Sequence, residues 1–415
     1  MKVLAIGGSG GMGRAAVRAA MSFDFVSEII VAGIDSEMAE RFVADLNSKS
    51  LNRENTDALN NSAINNDSSS GLSNKISVRA LYLDVTDNDS LRQAIRDVDV
   101  VLNSAGPFFR FGVPILTAAI EEGKHYCDIC DDWQPTVEML KLSARAKQNN
   151  VTAVIGLGAS PGISNLLCVK AATALDEVDT IVSAWKLSGD VNADDGFSRP
   201  ANEGQVDAAA VHLIHCLSED IRVLAAGKMV DTKPLAHSKI DFPKLGELNV
   251  WSLGHPEAVT LNRRFPLLKN CYNGMLGIDD IVDNLRQIAS AVAAGQMAVE
   301  DAARLLTDKD SRKARQTHLA ESEKKEIPGL VAYAQGRKNG QPASAGVFIR
   351  NTPAGGMATV TGIPQALFLP LLHQGHLKRN GVFAPEEIID PDVFFALFDN
   401  FCGPQGSGLT VLTSD

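Results

Sequence analysis

The chain has 415 residues, 45% of them hydrophobic and 21% charged, and its 50 acidic against 39 basic side chains leave a net charge of −11. That length exceeds one ordinary core and predicts two domains; the acidic balance excludes a nucleic-acid surface built on basic patches. No apolar run approaches the roughly 18 residues of a membrane span. Six scattered cysteines are no disulfide framework, and without a secretory leader pattern the expected location is cytoplasmic.

From residue 2 the pattern alternates. Strand-like runs fall at 2–6, 28–32, 77–83, 99–104, 125–128 and 151–156, and helical ones at 12–22, 36–47, 89–97, 112–122 and 134–149. This alternation predicts an α/β fold with a doubly wound, parallel Rossmann sheet. One tract interrupts it: of residues 47–75, 15 are Asn or Ser, and no hydrophobic period runs through them, so a mobile surface insertion is expected. Beyond residue 165 come longer strand-like runs at 178–188, 346–350 and 357–361, a charged helical region over 279–326 and a helix at 364–375. These predict an α+β second domain. The charges of 279–326 read as a solvated helix face.

The stretch "MKVLAIGGSGGMGRAA" carries the first chemical signal. Gly8, Gly10 and Gly13 keep the G-x-G-x-x-G spacing, with Ser9, Gly11 and Met12 between them. The first glycine permits a tight turn, the second lets backbone approach a pyrophosphate, and the third lets helix and strand pack closely. A helix start then offers free N–H groups to the phosphates. Its place between a strand and a helix makes it a dinucleotide cradle. A P-loop is excluded, because Arg14-Ala15 stands where Lys-Ser/Thr is required. An acid that grips an NAD ribose belongs at the end of the second strand. Gly33 occupies that place and Asp35 follows two residues later, which points to NADP ahead of NAD, with Arg14 or Lys49 left to meet a 2′-phosphate.

Further stretches have the form strand, turn, helix: "NSAGPFFRFGVPILTAAIEEGKHYCDICDD" and "AVIGLGASPGISNLLCVKAATAL". Together with "GHPEAVTL" at 254–261, "TGIP" at 361–364 and "GVFAPEE" at 381–387, the chain resembles the saccharopine dehydrogenase-like family. The resemblance implies a dinucleotide-binding domain over 1–165, rejoined by 362–400, around a substrate and dimerisation domain over 166–361. It implies Ala105, Gly106 and Pro107 beside the nicotinamide, Asp84 and Val85 near the adenine, and a homodimer acting on an amino-acid-like small molecule. The reaction it implies is hydride transfer at a C–N centre. Reduction of an enoyl or carbonyl group, or a non-catalytic dinucleotide-binding scaffold, stands as the alternative. The family usually reads G-x-D-P-G where this chain has "GASPG", so Ser160 replaces an aspartate beside the substrate amine.

Among titratable groups, Asp128, Asp131 and Asp132 end a strand on the carboxyl side of the sheet, where ligands bind. Asp128, Ser160 and His255, the last in "GHPE" beside Glu257, are the catalytic candidates. Arg199 and Arg263, with Arg264, are candidate clamps for a substrate carboxylate, which a guanidinium binds bidentately. Cys127 and Cys130 form a C-x-x-C with no second pair at zinc spacing and are read as packing. His212 and His215, beside Cys216 in "AAAVHLIHCL", are read as satisfied helix residues. No metal site is expected.

Overall fold

The computed structural model describes residues 1–61, 76–186, 206, 208–277, 279–308 and 328–414. Its first half runs β1 (Lys2–Ile6), α1 (Gly11–Ala20), β2 (Glu28–Gly33), α2 (Ser36–Asn61), β3 (Ser77–Tyr82), α3 (Asn88–Arg96), β4 (Val100–Asn103), α4 (Phe108–Glu121), β5 (His125–Asp128), α5 (Trp133–Lys141), α6 (Ser143–Gln148), β6 (Thr152–Val154) and α7 (Ile163–Thr173). Six of these strands form a parallel sheet in the order β6-β5-β4-β1-β2-β3. Val3 to Ile6 and Ile29 to Ala32 are buried throughout, as expected of a parallel sheet covered on both faces.

The second half runs β7 (Glu177–Lys186), α8 (Ala208–Ser218), β8 (Ile221–Ala225), β9 (Lys228–Thr232), β10 (His237–Phe242), β11 (Gly246–Leu253), α9 (Glu257–Arg264), β12 (Asn270–Leu276), α10 (Asp279–Ala293), α11 (Val299–Thr307), β13 (Leu330–Lys338), β14 (Gln341–Phe348), α12 (Gly356–His373), β15 (Gly381–Phe383), α13 (Pro385–Ile388), α14 (Pro391–Asp399) and β16 (Thr410–Thr413). A mixed sheet follows the order β10-β11-β12-β7-β13-β14-β16, with β8 and β9 off one side. The chain then doubles back: β15 pairs in parallel with β6 of the first sheet, and β16 returns to β14.

The structure corrects the sequence reading in three places. The second helix continues to Asn61; residues 48–61 hold no Gly or Pro to stop it, and the expected mobile insertion otherwise falls on 62–75, outside the described residues. The helix expected over 134–149 is divided at Leu142 into α5 and α6. The run 357–361 is no strand but the start of α12. Its β-branched Thr359, Val360 and Thr361 favour a strand locally, yet tertiary packing decides otherwise.

That packing joins the two ends of the chain. At Gly362 a Cβ would overlap the carbonyl oxygen of Met12 and crowd Ala15, so the backbone of α12 lies directly against α1. Gln365, one turn on, is fully buried. Its Nε2 donates to the carbonyls of Asn103 (2.8 Å) and Cys127 (3.3 Å), and its Oε1 accepts from Ser104 Oγ (2.7 Å). One apolar cluster then continues from β1 and β2 through α7 and α12 to β7 and β13, so both sheets share a core. Gly362→Val should lower stability by roughly 2 kcal/mol or more through overpacking, and should weaken dinucleotide binding by displacing Met12. Thermal denaturation with and without NADPH measures both; an unchanged melting temperature would contradict the contact.

Candidate active site

The glycine loop is built for close approach. Gly7 N–H donates to Ala32 O (2.8 Å), tying the loop to β2, and Gly10 N–H donates to Gly7 O (3.0 Å), closing the turn. A Cβ on Gly13 would overlap the Gly7 carbonyl, whereas a Cβ on Gly11 or Gly106 would meet nothing within 4 Å. The loop is thus tight beneath and open above. Gly10 caps α1 without a side chain, so the first-turn N–H groups have no side-chain acceptor, the arrangement that receives phosphate. Ser104 N–H donates to Ile6 O (2.8 Å), which sets the Ala105–Gly106–Pro107 ledge beside the loop.

The edge nearest β2 and β3 fits a 2′-phosphorylated nucleotide. A Cβ on Gly33 would find only Ser9 Oγ, at 3.8 Å. Asp35 is occupied elsewhere: its Oδ1 accepts from Met38 N (2.8 Å), at the start of α2. Arg14 Nε donates to Ser9 O (2.7 Å), and the guanidinium lies 5.2 Å from the Phe42 ring centre. Burial and the like charges of Arg18 and Arg41 lower its pKa, a strain that an anion would relieve. Ile34 and Tyr82 expose large apolar surfaces at this edge, next to Asp84 and Val85. Asp84 Oδ1 is engaged by Thr86 N (2.9 Å) and Oγ1 (2.7 Å). The side chain of Lys49 lies outside the described residues.

Asp128 does not face the cleft. It is fully buried; Oδ2 accepts from Tyr126 Oη (2.8 Å), and Oδ1 accepts from the N–H groups of Cys130 (3.0 Å) and Gly156 (2.7 Å). Burial raises its pKa to about 6 despite these donors. Tyr126 Oη in turn accepts from Asn103 Nδ2 (3.0 Å), and Asn103 Oδ1 accepts from Ala105 N (3.0 Å). The carboxylate therefore ties the Ala105–Pro107 ledge to the turn after β6. Sequence could not reveal that Asp128 points inward. Cys127 and Cys130 are buried thiols, as expected of packing residues.

The turn held by Asp128 presents Ser160 to a second carboxylate. Glu257, the first residue of α9, is fully buried, and its Oε1 accepts from Ser160 Oγ (2.5 Å), Ser164 Oγ (2.9 Å) and Asn273 Nδ2 (2.9 Å). Burial raises its pKa, and the three donors pull it back. Among the described residues, Glu257 Oε2, Asn273 Oδ1, Trp185 Nε1 and Glu386 Oε1 are buried without a hydrogen-bond partner. His255 Nδ1 lies 3.4 Å from Ser160 Oγ and 3.8 Å from Glu257 Oε2, and its ring stands 6.0 Å from that of Trp185. Burial and then the neighbouring His212 depress the His255 pKa to about 3. His212 Nε2 is 3.4 Å from His255 Nε2, and its Nδ1 meets Asp132 Oδ1 at 2.9 Å.

Residues 3–154 match the family model of the saccharopine dehydrogenase NADP-binding domain. The whole chain aligns with relatives: carboxynorspermidine synthase of Vibrio cholerae serotype O1 is 24% identical, over 95% of this chain and 94% of that one. Carboxyaminopropylagmatine dehydrogenase of Synechocystis is 25% identical, over 78% of this chain and 83% of the relative. Residues 3–154 thus carry a saccharopine dehydrogenase NADP-binding domain, and the chain is similar to these relatives well beyond it. Apo saccharopine dehydrogenase (L-Glu forming) from Saccharomyces cerevisiae shares the fold over 99% of both chains, with a TM-score of 0.63 at 15% identity.

The departure from the saccharopine dehydrogenase-like pattern at Ser160 has a structural counterpart. The carboxylate absent from position 160 is met by Glu257, held at 2.5 Å by the serine that replaced it. The structure thus brings Ser160 and His255 together. It does not bring Arg263 there: Arg263 sits at the far end of α9 and pairs with Glu387 (3.1 Å). Arg199 lies outside the described residues. Trp185 and Asn273 went unnoticed in the sequence, and His212 was read as a plain helix residue. They face the site from other elements, with no local pattern beyond the strands that carry Trp185 and Asn273. Arg14→Ala should weaken NADPH binding by roughly tenfold or more, the value of one charge-assisted contact, and leave NADH binding nearly unchanged. Fluorescence titration of both nucleotides decides it; equal losses would place the 2′-phosphate elsewhere.

Proposed function

We propose that this chain prefers NADP and interconverts an imine and a secondary amine of an amino-acid-like substrate that carries a further cationic amine. The carrying observation is the pair of unpartnered buried acceptors, Glu257 Oε2 and Asn273 Oδ1, which ask for N–H donors. An unmet buried acceptor costs about 1–3 kcal/mol, so a site that leaves two side by side is complementary to an ammonium. Trp185 Nε1, an unpartnered donor in the same wall, suits a substrate carboxylate. Two relatives with names built on carboxylated polyamines support this class.

The bound nicotinamide supplies or takes the hydride. In the reducing direction the hydride joins the carbon of the N-protonated imine, the C=N π pair becomes the lone pair of a neutral secondary amine, and a proton from solvent then gives the ammonium product. Glu257 pairs with the cationic nitrogen of the protonated imine and of the ammonium product, in a desolvated site where the pairing is strong. Ser160, Ser164 and Asn273 fix the carboxylate, so little reorganisation accompanies the step. The Ala105–Pro107 ledge sets the nicotinamide against the substrate carbon, the positioning contribution of the protein. Arg199 is retained as a clamp for a distal carboxylate, whereas Arg263, paired with Glu387, is not; the homodimer and cytoplasmic location are parts of the same reading.

Glu257→Gln keeps the shape and removes the charge. It should lower kcat/KM for the amine substrate by roughly 100-fold, the order expected when a buried charge pair loses one member, with NADPH affinity preserved. A screen of keto acids and aldehydes with polyamines, followed by NADPH oxidation, supplies the assay. Equal kcat/KM in variant and parent would overturn the role of Glu257.

A further inference from the structure

Beyond the amine reading, three donor atoms converge where no charge of the substrate is required. His212 Nε2 lies 3.4 Å from His255 Nε2 and 3.1 Å from Cys216 Sγ, and the three atoms all fall within 4.8 Å of one another. His212 and Cys216, four apart, share one face of α8, while His255 comes from the loop before α9. A tetrahedral ion with Zn–N near 2.05 Å and Zn–S near 2.3 Å spaces two nitrogens roughly 3.3 Å apart and nitrogen from sulfur roughly 3.6 Å apart. The N–N edge of 3.4 Å matches; the N–S edge of 3.1 Å must lengthen by about 0.5 Å, the thiol giving up its 3.3 Å hydrogen bond to Gly254 O.

The outer nitrogens strengthen the case. His212 Nδ1 is held by Asp132 Oδ1 at 2.9 Å, and His255 Nδ1 faces Ser160 Oγ at 3.4 Å and Glu257 Oε2 at 3.8 Å. The Asp132 carboxylate behind His212 Nδ1 makes that nitrogen a donor and turns the Nε2 lone pair toward the space shared with His255 Nε2 and Cys216 Sγ, an arrangement that a cation there resolves. Asp131 Oδ2, 3.4 Å from His212 Nε2, borders the same point. A proton on one ring would supply a single positive charge to three carboxylates; a divalent ion supplies two and takes the thiolate as ligand.

We propose that His212, Cys216 and His255 form a binding site for a borderline-soft divalent cation, Zn²⁺, with a fourth position open beside Asp131. Two imidazoles and a thiolate select zinc over the hard cations magnesium and calcium. The ion would sit on the side of His255 away from Glu257, fixing that ring at the wall of the amine site.

The test uses Co²⁺ as a spectroscopic probe on the intact, full-length chain after dialysis against chelator. Cobalt should bind at about one equivalent with the visible absorption of a tetrahedral site and a near-ultraviolet thiolate-to-metal band. Cys216→Ser should abolish the thiolate band, and His212→Gln should abolish saturable binding. Asp132→Asn, which removes only the support behind His212, should weaken binding roughly 10–100-fold. Circular dichroism verifies that each variant is folded. Zinc should compete cobalt away, and elemental analysis of protein prepared without chelator should find zinc. Absence of saturable cobalt absorption in the folded parent, or a thiolate band that survives in Cys216→Ser, overturns the proposal. NADPH and amine binding, measured separately, can fail or hold independently of these readouts.

Discussion

The carboxylate of Asp128 reaches neither solvent nor substrate, yet the geometry of the site rests on it. One oxygen fixes Gly156 and Cys130 through their N–H groups, and the other fixes Tyr126, which holds Asn103 and through it Ala105. The Ala105–Pro107 ledge and the turn bearing Ser160 are therefore two ends of one hydrogen-bonded chain. In a buried setting such a chain is rigid only when every member is satisfied. Gln365 completes it from the side, bonding the carbonyls of Asn103 and Cys127 at the ends of β4 and β5.

Across the cleft the second carboxylate, Glu257, works in the opposite way. Asp128 has both its oxygens engaged by protein; among the described residues, Glu257 has one oxygen hydrogen-bonded three times and the other without a hydrogen-bond partner. Its partners come from both halves of the molecule: Ser160 and Ser164 from the end of the first sheet and α7, and Asn273 from β12 of the second. The pairing of β12 with β7 places Asn273 opposite Ser183 and Met275 opposite Trp185. Period-2 alternation then puts Asn273, Ser183 and Trp185 on the face toward the turn. The wall around Glu257 is a property of the interface between the sheets.

That division explains what could be read from the sequence. The parallel sheet and the glycine loop were legible because both signals are local: an apolar strand, a glycine spacing and a helix start adjoin one another. Gly33 and Asp35 were legible for the same reason, and the structure adds that Asp35 is spent on the start of α2. The site was only partly legible. Ser160 stood out as a departure from a pattern, but the carboxylate that meets it lies 97 residues away. His212 carries no signal of its own; its partners Asp132 and His255 are 80 and 43 residues distant. The strand expected at 357–361 failed because local β preference says nothing about a helix pressed against α1. Asp128 was correctly placed at a strand end, but which way a strand-end side chain turns depends on Tyr126 and Gly156.

The contact between α12 and α1 also orders the life of the chain during synthesis. The glycine loop leaves the ribosome long before the helix that buries its back and the Gln365 hydrogen bond to Ser104, 261 residues away. Closing contacts of such long range is slow, because the entropy of a large loop is lost before the contact repays it. The glycine loop therefore waits for a much later segment before it reaches its final form. A nascent chain stopped before residue 356 would carry the whole cofactor fingerprint and lack the helix that supports it.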